Sequence, residues 1–272
     1  MQDFKGKVAV VTGAASGIGF AAARVFAEQG SAVALLDVRE EEVVAASRRL
    51  AAMGAKTIAV PVDVRDSVAV DRAADFVKNT FGNVHILMNN AAVFMRGQGV
   101  TEIDDAAWDW LLGVNLYGPI HCIRSFLPNM TAHGETGHII NTASISGFSV
   151  RDRKNGAYAV TKFGLVGFSE ALRHDLKESK IGVSIVVPGA VASDFYITSA
   201  QHRGDLGGPN LFPTTPSDTA NGMKPDEVAR RMLDGIRADR FYIATHAGAR
   251  SLLEERHSEL MAAYDAAEAW QP

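Results

Sequence analysis

Apolar positions along the chain fall into two alternating patterns. Short, nearly continuous runs rich in Val, Ile, Leu and Ala occupy Lys7–Thr12, Ala32–Asp37, Thr57–Val62, Val84–Asn89, His138–Thr142 and Val183–Pro188. Runs of this length without apolar/polar alternation are the mark of strands covered on both faces. Between them, apolar residues recur at three- and four-residue spacing, which predicts helices over Gly17–Glu28, Glu40–Met53, Ser67–Phe81, Asp105–Met130, Ala157–Glu178 and Pro225–Arg237. The last of these begins with Pro225, Asp226 and Glu227, residue types that suit a first helical turn. A seventh strand, Phe241–Thr245, and a terminal helix, Arg250–Ala267, complete the chain. Strands alternating with helices predict a parallel sheet with helices on both faces, an α/β doubly wound architecture. Residues 189–224 break the pattern with Gly, Pro, Ser, Thr and Asn and no sustained periodicity. A loop of that length in a compact domain predicts a substrate lid.

Composition narrows the function classes. The 272 residues carry no internal repeat or linker, so a single domain over 1–272 is expected. Lys and Arg number 27 against 31 Asp and Glu, a net charge of −4 that provides no basic footprint for nucleic acid or an anionic membrane. No apolar run reaches membrane-spanning length, and the start MQDFKGKVAVVTG enters a strand directly, so a cytoplasmic protein is expected. The single Cys122 lies in a helical stretch and reads as a small buried hydrophobe. The eight histidines form no His-x-x-x-His pair, His133 and His138 fall in a Gly-rich loop and read as solvated, and no metal is implied.

Chemistry enters directly after the first strand. Thr12-Gly13-Ala14-Ala15-Ser16-Gly17-Ile18-Gly19 opens the first helix with the spacing G-x-x-x-G-x-G. Glycines there permit a tight turn and close approach of backbone to a pyrophosphate, whose charge the helix N-terminus favours. In its strand-turn-helix setting the motif predicts a Rossmann-type dinucleotide site. Asp37 ends the second strand, 18 residues beyond Gly19, where a carboxylate accepts hydrogen bonds from a ribose diol and repels a 2′-phosphate. That predicts NAD over NADP, with Arg39 the one residue that dissents.

Tyr158 and Lys162 lie four apart in a helix and share a face. A phenol of pKa about 10 is a poor base near neutrality, and a neighbouring ammonium is expected to lower that pKa and make Tyr158 a usable proton acceptor.

Taken together, Thr-Gly-x-x-x-Gly-x-Gly, Asn89-Asn90-Ala91, Asn115, Ser144, Tyr158-x-x-x-Lys162 and Pro188-Gly189 occur in an order that resembles the single-domain short-chain dehydrogenases/reductases. The resemblance implies an NAD-dependent enzyme interconverting a secondary alcohol and a ketone. Asn115, Ser144, Tyr158 and Lys162 are then the catalytic residues: Ser144 holds the substrate oxygen, Tyr158 moves its proton, Lys162 holds the nicotinamide ribose, and Asn115 holds a water of the proton relay. It also implies that Asn89 braces the sheet, that Asn90 and Ala91 lie beside the cofactor, that Asp63 and Val64 contact adenine, and that Pro188, Gly189, Val191 and Ser193 bind the nicotinamide. Thirteen residues separate Ser144 from Tyr158, one more than is usual, so Ser146 competes with Ser144. Ser193 stands where Thr is commoner and Ala92 where Gly is usual.

Phe94, Met95, Phe148, Val150, Phe195 and Tyr196 are expected to wall a pocket for a hydrophobic, cyclic or aromatic substrate. Arg151, Arg153 and Lys154 leave room for an acidic group at its outer end. The helices Asp105–Met130 and Ala157–Glu178, with Trp108, Leu111 and Phe168, resemble the family's pairing helices and predict a homodimer or homotetramer. A catalytically silent NAD-binding regulatory protein is the alternative; retention of Asn115, Ser144, Tyr158 and Lys162 argues for an enzyme. An epimerase or dehydratase of related fold needs a sugar-nucleotide domain for which the chain has no room.

Overall fold

Seven parallel strands carry the computed structural model: β1 (Val8–Thr12), β2 (Ala32–Asp37), β3 (Thr57–Pro61), β4 (Ile86–Asn89), β5 (Gly137–Thr142), β6 (Ile181–Val187) and β7 (Tyr242–Ala244). Their spatial order is β3-β2-β1-β4-β5-β6-β7. The structure describes residues 1–150, 155–203 and 221–270. Helices α1 (Gly17–Glu28), α2 (Glu40–Ala52), α3 (Ser67–Phe81), α4 (Asp105–Leu112), α5 (Gly118–Ala132), α6 (Gly156–Asp175), α7 (Phe195–Arg203), α8 (Pro225–Arg237) and α9 (Arg250–Glu268) connect or follow them. This is the doubly wound, Rossmann-type single domain that the alternating pattern predicts.

Successive side chains of a strand face opposite ways, so each buried strand feeds two cores. Val8 and Val10 of β1 join one cluster with Val70 and Val77 of α3, Phe126 of α5 and Val166 of α6. Ala9 and Val11 join the other, with Phe26 of α1, Leu50 of α2 and Met232 of α8. The sheet order reverses between β1 and β4, and a ligand crevice opens at such a switch point, outside the C-terminal ends of the strands.

Two elements depart from the expected pattern. The helix predicted over Asp105–Met130 is interrupted by a π-helical segment, Gly113–Tyr117, because glycines bracket it and the helix that follows lies tightly on a neighbour. A Cβ on Gly118 would sit 2.7 Å from Val64 Cγ2. Helix α7 forms inside the stretch read as aperiodic; Phe195 and Tyr196 anchor it on Phe94, so tertiary contact rather than periodicity holds it. Of the expected lid 189–224, residues 204–220 lie outside the described residues. The terminal helix α9 is present, but none of its residues is buried.

Candidate active site

The glycine turn divides its labour. Gly13 and Gly17 have φ of 63° and 56°, the left-handed region that only glycine adopts freely. A Cβ on Gly13 would also lie 2.8 Å from Ala91 Cα, and one on Gly19 2.1 Å from Gly13 O. Gly13 and Gly19 therefore let the turn, β4 and α1 pack closely, while Gly17 serves conformation alone, with nothing nearer than Ser193 Cβ at 3.6 Å. Two cavities meet at this turn. One of about 170 Å³ is lined by Gly13, Asp37, Asp63, Val64, Asn90 and Ala91. The other, about 340 Å³, is lined by Gly17, Ile18, Ser144, Tyr158, Lys162, Pro188, Gly189, Val191 and Ser193. Ser16 and Ala92 line both. A cradle cleared of Cβ atoms at the N-terminus of α1, with a cavity on each side, fits a dinucleotide whose pyrophosphate lies over the turn.

Asp37 is buried where β2 ends. One carboxylate oxygen accepts from Ala15 N at 3.1 Å, and the other accepts from Arg39 N at 3.0 Å and Arg39 Nε at 3.1 Å. Arg39 also donates through Nη2 to Ser16 Oγ at 3.0 Å, placing a cation on the rim that the sequence left open. Asp63 is gripped by Arg65, with Nη2 to Oδ2 at 2.6 Å. Burial alone would raise the Asp63 pKa, but the Arg65 hydrogen bonds hold it below the usual carboxylate value.

Asparagines brace the switch point. Asn89 Nδ2 donates to Asn141 Oδ1 at 2.8 Å, tying β4 to β5. Asn90 N and Ala91 N both donate to Thr12 Oγ1, at 2.9 and 3.0 Å, pinning the end of β4 to β1. Asn115, in the π-helical segment, accepts from Val93 N at 2.8 Å and donates to Val93 O at 2.9 Å and Thr161 Oγ1 at 3.1 Å. Thr161 Oγ1 in turn donates to Tyr158 O at 2.8 Å. The Asn115 side chain thus clamps α6 at Tyr158 and holds the segment that carries Phe94.

Tyr158 and Lys162, the expected reactive pair, stand near the start of α6. Tyr158 is buried and hydrogen-bonded to Ser144. Ser144 also accepts from Ser146 N at 3.1 Å, and Ser146 Oγ accepts from Asn155 Nδ2 at 3.3 Å, so the geometry selects Ser144 over Ser146 as the partner of Tyr158. Lys162 is 1% exposed and donates from Nζ to Thr142 O at 2.9 Å, with Nζ 5.6 Å from the centre of the Tyr158 ring. One expectation is corrected here. Burial, with Tyr196 nearby, pushes the Tyr158 phenol above its ordinary value, and the group that pulls it down is Ser144, not Lys162. The reason is that Lys162 is itself desolvated, which pushes its own pKa down to about 7.

Beyond the pair, the cavity is walled by aromatic rings. Phe94 lies 5.0 Å from Tyr158 and 4.7 Å from Tyr196, centre to centre, and Phe195 lies 5.5 Å from Tyr196. Three expected wall residues are elsewhere. Met95 is 4% exposed and faces the α3–α6 side of the core, because successive residues of an extended segment point in opposite directions. Phe148 lines a separate apolar cavity with Leu253 and stacks edge-on with Tyr242 at 5.8 Å. Val150 is 60% exposed. Arg151, Arg153 and Lys154 lie outside the described residues. Sequence reasoning passed over Thr142, whose carbonyl anchors Lys162, and Arg96, which lines the cavity beside Phe94. Nothing in spacing marks a carbonyl, and a charge in a loop ordinarily reads as solvated.

Other reactive groups lie away from this crevice. Burial pushes the Cys122 thiol up to about 12, consistent with a small buried hydrophobe. His138 is corrected from solvated to buried: it sits in β5, bonded to Ser184 Oγ at 2.8 Å, and burial pushes its pKa down to about 4. His85, His133 and Glu135 gather at the opposite end of the sheet. There His85 Nδ1 accepts from Val8 N at 3.2 Å and Nε2 faces Glu135 at 3.1 Å, while His133 bonds Val84 O at 2.8 Å. Their nitrogens are committed to holding β4 and its entry loop.

The fold and site define a nicotinamide-dependent oxidoreductase of the dinucleotide-binding α/β class, with a Tyr–Lys–Ser constellation facing the cofactor crevice. The profile of the family described as short chain dehydrogenase matches residues 7–204, and the chain belongs to that family. It is 30% identical over 267 residues to a C alpha-dehydrogenase of Sphingobium sp. strain SYK-6, covering 96% of this chain and 87% of the relative. A short-chain dehydrogenase/reductase from Burkholderia phymatum in complex with NAD superposes with a TM-score of 0.88 at 33% identity, covering 96% of each chain. A short-chain dehydrogenase from Burkholderia cenocepacia J2315 in complex with NADP gives a TM-score of 0.76 at 28% identity, over 92% of this chain and all of that one. The activity is that of a dehydrogenase or reductase acting on alcohol and ketone groups of small molecules. No helix among the described residues is long and apolar enough to cross a membrane.

Proposed function

We propose that this enzyme uses NAD to interconvert a hydrophobic secondary alcohol, cyclic or aromatic, with its ketone. The observation that carries this reading is the Ser144–Tyr158 hydrogen bond beside Lys162 in a cavity walled by Phe94, Phe195 and Tyr196. When bound, the nicotinamide supplies the hydride chemistry. The chain does the rest. Ser144 holds the alcohol oxygen, and Tyr158 as phenolate takes the hydroxyl proton as hydride leaves the same carbinol carbon, so C–H and O–H bonds break and C=O forms. In reduction Tyr158 returns the proton. Lys162 holds the nicotinamide ribose, and the proton passes outward through a water held near Asn115. Pro188, Gly189, Val191 and Ser193 flank the nicotinamide, while Asp63, Val64, Asn90 and Ala91 flank the adenosine. The aromatic walls exclude water, which strengthens the electrostatics of the pair.

The buried Asp37 carboxylate supports NAD, as does the likeness to an NAD complex; Arg39 on its rim and the likeness to an NADP complex make the choice worth testing. In a panel of aryl and alicyclic secondary alcohols read by absorbance of the reduced cofactor, the wild type should show a kcat/KM for NAD at least about tenfold that for NADP. Asp37→Ala should narrow the ratio by about the same factor, as Arg39 loses its partner and turns to a phosphate. A higher kcat/KM with NADP in the wild type would reverse the assignment, and a panel with no turnover at all would remove the activity.

A homodimer or homotetramer is proposed as well. Leu111 is fully buried in the monomer and is withdrawn from the expected pairing face; Trp108 and Phe168 are half-buried against the core. The face that remains carries Tyr117 and Val160, 52% and 49% exposed. Multi-angle light scattering at micromolar concentration should give at least twice the monomer mass, and Val160→Glu should lower it. A monomer alone would return these residues to solvent.

A further inference from the structure

Arg96 is the cation that the mechanism leaves unused. It follows Phe94 in the segment after β4 and lines the 340 Å³ cavity that holds Ser144 and Tyr158. Its Nε is buried with no hydrogen-bond partner. None of the ion pairs among the described residues includes it. No described lining residue of that cavity is an Asp or Glu, and the other cation there, Lys162, already donates to Thr142 O. Of the other half-buried arginines, Arg24 pairs with Asp226 and Arg39 with Asp37, while Arg237 makes no ion pair and donates to Gln29 Oε1.

A guanidinium does not shed its charge, so an unpaired one against aromatic walls bears an uncompensated desolvation cost until an anion meets it. Its planar fork matches a carboxylate through two parallel N–H···O bonds. We infer that the alcohol or ketone substrate carries a carboxylate at the end remote from its reacting carbon, and that Arg96 receives it. The inference rests on the reading of this cavity as the substrate site. The substrate is then a hydrophobic hydroxy or oxo acid: rings lie against Phe94, Phe195 and Tyr196, the oxygen meets Ser144 and Tyr158, and the acid meets Arg96. A cofactor phosphate is the competing anion. Arg96 does not line the cavity on the Asp37 side of the glycine turn, which sets aside a phosphate on the adenosine; the pyrophosphate over the turn borders both cavities, and the test separates it from the substrate.

The test compares 4-acetylbenzoate and 3-(4-acetylphenyl)propanoate with their primary amides, which keep shape and lose charge. Binding to the full-length protein with reduced cofactor is read from cofactor fluorescence, and reduction is read from absorbance. At least one acid should bind about tenfold or more tightly than its amide, with the difference appearing in KM rather than kcat. Arg96→Met should bring the acid-to-amide ratio to near one, and Arg96→Lys should restore part of it. Equal binding of acid and amide in the wild type, a preference that survives in Arg96→Met, or no binding of any of the four compounds would overturn the inference. A rise in the KM of the cofactor that accounts for the whole effect would assign Arg96 to cofactor phosphate and overturn it as well. An Arg96-dependent preference in binding without turnover would sustain the anion site while removing the catalytic reading.

Discussion

Tyr158→Phe is expected to lower kcat by about a thousandfold while leaving cofactor affinity within a few fold. General acid–base groups contribute on the order of a hundred to ten thousandfold, and removing the phenol oxygen removes the proton acceptor that is hydrogen-bonded to Ser144. The ring itself stays, keeping its edge-on contact with Phe94 at 5.0 Å, so the wall and the fold should persist. Circular dichroism and cofactor titration separate loss of chemistry from loss of structure. The wild type should also show a distinctive pH profile. Burial holds the phenol above its ordinary value, so the protonated form dominates near neutrality. Oxidation needs the phenolate, so its rate should climb with pH well into the alkaline range; reduction needs the proton and should not climb. Most of the activity surviving in Tyr158→Phe, or an oxidation rate that falls from pH 7 to 9, would leave Tyr158 without its role.

Lys162→Met should be nearly inactive and yet, at pH 6, more resistant to heat. Burial pushes the Lys162 pKa down to about 7 from an ordinary 10.5. Between those values the unfolded chain binds more protons at this site than the folded one, so stability rises with pH. Below about pH 7 the folded protein holds a buried ammonium whose only described partner is Thr142 O. Met fills similar volume without the charge, so its melting temperature should exceed that of the wild type by several degrees at pH 6, with the gap closing towards pH 10. Activity should fall by about a hundredfold or more, because Tyr158 and Lys162 act as a unit. A variant that melts lower at every pH would show that the bond to Thr142 outweighs the desolvation of the ammonium.

Much of this was legible along the chain, for reasons that lie in local chemistry. Runs such as Val8–Thr12 have no polar face, so they can only be central strands; the glycine turn must follow a strand and open a helix, because its conformations and contacts allow nothing bulkier. The four-residue spacing of Tyr158 and Lys162 places both on one helical face whatever else surrounds them. Misreadings occurred where position depends on partners distant in sequence. His138 looked solvated because its neighbours are Gly-rich, and it is buried because β5 lies between β4 and β6. Phe94 and Met95 are adjacent and equally apolar, yet only Phe94 reaches the cavity, a matter of which face of the segment meets α7.

The sequence by itself determined the architecture, the glycine cradle and the shared helical face of Tyr158 and Lys162, because strand periodicity, left-handed glycine and helical spacing are properties of short stretches. Tertiary structure alone decided the electrostatics. Desolvation moves the Tyr158 pKa up and the Lys162 pKa down, and the groups each then meets, Thr142 and Ser144 at the end of β5 and Tyr196 of α7, come from two other parts of the chain. The same holds for Arg96, an unremarkable loop residue until the fold sets it on a cavity with Phe94, Phe195 and Tyr196, buries its Nε and leaves it without a carboxylate among the described residues. Desolvation sums over every atom that displaces water, and that sum exists only once the distant segments have met.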